Sequence, residues 1–125
     1  MPITEGKVLV SLVRIGSDRR KQAAFTLAVP ASVRVYALGE ADDDEMADSA
    51  WITDASGAKV WNMTAKASAH AGGARKNRMA NQVVALPAGA YTVHFESDGS
   101  HAYGDWNAAP PRDVEHYGVT VYAGE

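Results

Sequence analysis

The densest set of chemistry-bearing side chains lies between Ser97 and Gly118, SDGSHAYGDWNAAPPRDVEHYG. Asp98, His101, Tyr103, Asp105, Trp106 and Asn107 fall within ten positions, ahead of a Pro110-Pro111 stop. A flat aromatic between a carboxylate and an amide suits sugar recognition: the ring covers apolar C–H faces while Asp105 and Asn107 hydrogen-bond hydroxyls. Asp98, His101 and Asp105 could alternatively ligate a transition metal, or a His–Asp pair could transfer protons. The structural alternative is that Trp106 folds back as a lid on the core while Asp98 and Asn107 cap turns.

Two further segments carry unusual charge. Glu40, Asp42, Asp43, Asp44, Glu45 and Asp48 put six carboxylates within nine positions. Such oxygens suit calcium, although the spacing is not that of an EF-hand, and a solvated acidic loop has the same composition. His70 to Arg78, HAGGARKNR, follows two glycines with Arg75, Lys76 and Arg78. Backbone amides and guanidinium groups there could form an anion nest, or the loop could pair with the acidic segment. Arg75 and Arg78 therefore join the candidate ligand-binding set of Trp106, Tyr103, Asp105, Asn107, His101 and Asp98. No catalytic residue, metal ligand or cofactor is assigned. The chain has no cysteine and no G-x-S-x-G, so it lacks the usual sequence marks of a nucleophilic enzyme.

The elements that would position these loops are strands. Val8, Val10 and Leu12 alternate with other residues, as do Phe25, Leu27 and Val29, then Val33, Val35 and Ala37. Trp51–Thr53 and Lys59–Met63 flank an Asp54–Gly57 turn and read as a hairpin. Val83 and Val84, then Tyr91, Val93 and Phe95, and finally Tyr117, Val119 and Val121 complete the pattern. About eight short strands joined by Gly, Pro and Asx turns predict an all-β fold, a two-sheet antiparallel, jelly-roll-like β-sandwich. The expected core is Val8, Val10, Leu12, Phe25, Leu27, Val33, Val35, Trp61, Val84, Tyr91, Val93, Phe95 and Val119. Residues 41–50 read as one helical turn or a solvated loop.

At 125 residues, with 46% apolar side chains, the chain is long enough for one domain, 1–125, with a real core. A net charge of −3 gives no global field for nucleic acid, and no apolar run is long enough to insert across a membrane. The opening MPITEGKVLVSLVRIG reads as a strand, not as a signal peptide, which leaves the compartment and oligomeric state open.

The strings VRVYALGE (33–40), WITDASGAKVW (51–61), HAGGARKNR (70–78), LPAGAY (86–91) and SDGSHAYGDWNAAPP (97–111) together resemble a bacterial family of small, poorly characterised β-sandwich modules. LPAGAYTVHF is also similar to the closing strands of pre-peptidase C-terminal-like and carbohydrate-binding sandwiches. The resemblance implies the fold and no catalytic residue. The expectation is a non-catalytic binding or accessory module whose ligand is a glycan or another protein, bound at the long-loop end. The alternatives are a self-associating structural domain, pairing through an edge strand such as Lys7–Arg14, and a metal-dependent hydrolase using His70, His101, Asp98 and Asp105.

Overall fold

The computed structural model describes residues 8–42, 45–99 and 102–123. Among the described residues nine strands follow one another: β1 (Val8–Leu12), β2 (Arg20–Leu27), β3 (Ala31–Asp42), β4 (Glu45–Asp54), β5 (Lys59–Asn62), β6 (Ala69–His70), β7 (Asn77–Leu86), β8 (Gly89–Glu96) and β9 (Gly118–Ala123). A 3-10 turn, Val114–His116, precedes β9. Among the described residues no helix is long and apolar enough to cross a membrane.

All pairings are antiparallel and belong to one sheet that is nearly barrel-shaped, ordered β1-β9-β3-β4-β8-β2. β1 and β2, at the two ends of that path, come close without pairing. β3 is the longest strand and explains the shape. One edge pairs with β7 from Ala31 to Glu40, while the other pairs first with β9 and then, from Glu40 onward, with β4. β4 in turn leaves β3 after Asp48 and pairs with β8 from Ser49 to Asp54, with β5 attached at Trp51–Thr53. Trp61 of β5 donates its Nε1–H to Gln82 of β7 at 2.6 Å, drawing those two strands together.

The alternation expected from the sequence builds the core. Val33, Val35, Ala37, Ala50, Ile52, Val93, Phe95, Val119 and Val121 are fully buried. Phe25 and Tyr91, register partners on β2 and β8, stack with centroids 5.4 Å apart. Four expected core residues, Val10, Leu12, Trp61 and Val84, are only partly buried, and Val8 is 50% exposed, because β1, β5 and β7 lie at the margins of the sheet. Strand β2 stops at Leu27, which leaves Val29 in an exposed turn.

Residues 41–42 and 45–50 differ from the expected helical turn or loop: they are strand, in β3 and β4, which pair antiparallel there, while Asp43 and Asp44 lie outside the described residues. Alternate burial of Asp48, Ala50 and Ile52 requires extended backbone, and the inward Asp48 conceals that period from a hydrophobicity reading. The outward residues of β3 and β9 also depart from simple alternation. Tyr36, Leu38, Thr120 and Tyr122 are buried. Tyr36 lies beneath the segment before β9, donating its hydroxyl to Asp113 at 2.7 Å and meeting the ring of His116 edge-on.

Candidate functional site

The connections from β5 to β7 and from β8 to β9 run side by side. Arg112 N–H donates to the Ala71 carbonyl at 2.9 Å and Ala74 N–H to the Ala109 carbonyl at 3.0 Å. Asn77, fully buried at the start of β7, donates from Nδ2 to the carbonyls of Gly72 (2.8 Å) and Ala109 (2.9 Å). These bonds satisfy backbone groups that no strand partner reaches. The backbones approach so closely that a side chain on Gly73, whose φ is 70°, would collide with the Pro110 carbonyl. Only glycine combines that φ with that approach. The string HAGGARKNR is thus the fastening of the two loops, and its arginines divide. Arg78 holds the 65–68 turn, donating from Nε to Ser68 Oγ at 2.9 Å and from Nη2 to the Ser68 carbonyl at 2.5 Å. Arg75 is exposed.

Below the loops three carboxylates meet. Glu40 on β3, Asp48 on β4 and Asp98 just after β8 each place an oxygen within 4.8 Å of the others. Glu40 and Asp48 are buried and Asp98 is exposed. Asp48 accepts from the Tyr117 hydroxyl at 2.5 Å and from the Asp98 amide at 2.8 Å, tying β4 to both ends of the long loop. Lys76 lies 3.2 Å from Glu40 and donates to Asn107 Oδ1 at 2.7 Å. The acidic segment and the basic loop therefore do meet, through Glu40 and Lys76.

Burial pushes the Asp48 carboxyl up to about 7. The Tyr117 and Asp98 hydrogen bonds oppose that rise, and the charges of Asp98 and Glu40 add to it. The Tyr117 hydroxyl is raised too, by burial first and then by Asp48. Each of the three brings one oxygen to the group, against the six to eight that calcium takes, and an ammonium already stands beside Glu40. What the arrangement does chemically is favour the protonated form of the buried Asp48 carboxyl up to near neutrality.

The aromatic residues sit above this layer. Trp106 is partly buried and meets Tyr117 at 90°, centroids 5.0 Å apart, so the lid reading of Trp106 describes its packing. Tyr103, also partly buried, lies in a tight turn that Asp105 N–H closes onto the Ala102 carbonyl at 2.8 Å, with Gly104 at φ 79° as a type II turn requires. Tyr103 N–H donates to the Ile15 carbonyl and Ser17 Oγ to Asp105 Oδ2 at 2.8 Å, which fastens the loop to residues 15–17.

Tyr103, Asp105, Trp106, Asn107, Asp98 and Arg75 therefore share one end of the barrel with Arg78, whose guanidinium is turned to the 65–68 loop. His101 lies outside the described residues. Of the hydrolase set, His70 bonds the Ala74 carbonyl, Asp98 belongs to the carboxylate trio and Asp105 holds Ser17. Among the described residues the trio is the one tight group of histidine and carboxylate side chains. Sequence reasoning did not single out Asn77 and Tyr117. Asn77 is hidden in a basic run, and Tyr117 reads as an ordinary inward strand residue.

Comparisons with protein-family models, with curated proteins and with solved structures returned no match to this chain.

Proposed function

We propose that this chain is a non-catalytic binding or accessory module that takes a glycan on the end of the barrel formed by residues 70–76 and 98–112. The observation that carries this reading is the fastening of the two loops. The Asn77 amide and the Lys76 ammonium hold them against each other, so Tyr103, Trp106, Asp105 and Asn107 are presented on rigid backbone. A surface ordered before the ligand arrives avoids the entropic cost of ordering it on binding. The polar groups beneath it favour binding over catalysis, since the buried Asn77 and Asp48 and the partly buried Arg78 are engaged in holding loops. We read the fold as a flattened barrel in which β4 passes from one sheet of a sandwich to the other.

The test is a ¹H–¹⁵N titration with a panel of oligosaccharides. Saturable shifts at Tyr103 to Asn107, lost in Tyr103→Ala and Asp105→Ala with the rest of the spectrum intact, are expected. No saturable shift with any saccharide overturns the glycan reading. Trp106→Ala is the poorer probe, because its packing on Tyr117 makes loss of fold and loss of binding coincide.

A second reading rests on Val8, half exposed on the end strand β1. It is self-association through that strand, and a mass by light scattering that rises with concentration supports it.

A further inference from the structure

We infer that the glycan is acidic, and that Arg75 and Arg112 hold its carboxylates; this rests on the binding reading above. The other five arginines all have partners. Arg14 and Arg20 pair with Glu115 and Glu96, Arg19 donates to the Ser17 carbonyl, Arg34 to Asn81, and Arg78 to Ser68. Arg75 and Arg112 are exposed, and their side chains make no hydrogen bond or ion pair with a described residue.

The fold places these two arginines on adjacent backbones. Arg112 N–H is bonded to Ala71, and Arg75 follows Ala74, which is bonded to Ala109. Arg112 thus lies against Gly72 and Arg75 two positions beyond the exposed Gly73, on backbones that run side by side. Neighbouring carboxylates are already engaged. Asp113 accepts from Tyr36 and His116, and Glu40 pairs with Lys76. A guanidinium fork matches a carboxylate in two parallel hydrogen bonds.

The surroundings narrow the ligand class. Asp98 and Asp105 are exposed at the same end, and the whole chain carries −3. A densely charged polyanion such as a nucleic acid meets repulsion there. A chain of sugar rings with one carboxylate per ring carries less charge over the same length than a nucleic-acid duplex and meets less repulsion: its rings lie against Tyr103 and Trp106 while its carboxylates reach the arginines. A uronate oligosaccharide has that chemistry.

The experiment titrates the wild-type chain and Arg75→Ala/Arg112→Ala with three probes: a tetragalacturonate, a neutral tetrasaccharide and inorganic sulfate. Both arginines are exposed, and only backbone atoms of Arg112 serve the fold, so the variant keeps the wild-type spectrum away from the substitutions. For tetragalacturonate we expect about a tenfold or greater loss of affinity in the double variant, and a loss for the wild type on raising the salt. Unchanged affinity for tetragalacturonate in the double variant overturns the inference. Equal wild-type affinity for the neutral tetrasaccharide overturns it while leaving the binding reading in place. Sulfate binding as tightly as tetragalacturonate overturns it as well, since a bare anion then suffices. Binding of none of the three overturns both readings.

Discussion

The two ends of the barrel solve the same problem in different ways. At one end short turns, Ala28–Pro30 and Pro87–Ala88, carry the chain between strands that do not pair, β2 to β3 and β7 to β8, and their small apolar residues are exposed. The Asp54–Ala58 turn between β4 and β5 is equally local: the Asp54 carboxylate accepts from the amides of Ser56 (2.9 Å) and Ala58 (3.0 Å). At the other end the long connections have backbone groups that no strand partner meets. Side chains distant in sequence meet them: Asn77 on Ala109, Asp48 on Asp98, and Ser97, whose hydroxyl bonds Gly16 at 2.6 Å and accepts from Arg19. Turns closed locally tolerate change, whereas loops closed by distant side chains depend on each of them.

Gly73→Ala should break this contrast most severely. It combines a left-handed φ with collision against the Pro110 carbonyl, and about 3–5 kcal/mol of stability should be lost in urea unfolding. Asn77→Ala removes a buried amide and takes one donor each from the Gly72 and Ala109 carbonyls, the latter keeping the Ala74 N–H. A loss of about 2–3 kcal/mol is expected, with amide exchange rising at residues 71–75 and 107–110 before it rises in the strands.

The carboxylate trio gives a pH signature to the same end. Asp48 holds its proton up to about 7 in the folded chain, whereas the unfolded chain releases it near 4. Between those values the folded state binds the extra proton. Its stabilising effect is fully present below about pH 4 and is lost as pH rises through 7. Unfolding free energies should therefore fall with pH across that window, by up to about 1.4 kcal/mol per pH unit from this group. Asp48→Asn should flatten the slope. A slope that persists in this variant would place the proton elsewhere.

The smallest effect belongs to the short-turn end: Val29→Ser, at a 65% exposed position, should change stability by no more than about 0.5 kcal/mol. A larger loss would show that this end is also held by distant contacts.

Most strands are legible because a one-sided alternation is a local signal: Phe25 and Leu27, or Tyr91, Val93 and Phe95, reveal their face within a few residues. The signal fails where a face is polar or doubly covered. Asp48 points inward from an acidic run, so β4 looks like loop until Ala50. Tyr36 and Tyr122 look solvent-facing and are buried.

The candidate end was visible as a collection of residue types, but its wiring was not. Asp48 and Asp98 are fifty positions apart and Asp48 and Tyr117 sixty-nine, and no local pattern relates them. Sequence reading also could not apportion the arginines, because whether one of them meets a turn or water depends on how the 65–68 segment folds.

The pairing of β1 with β9 sets Val8 beside Tyr122, the widest separation along the chain of any strand pair in the sheet. Contacts of that span are slow to form, since a long loop must close before the pair is rewarded. A circular permutant that joins this pair through a short linker and opens at the exposed Ser56–Gly57 turn would convert the slowest pairing into a hairpin. Its nine strands would keep their register while it folded faster than the linear chain.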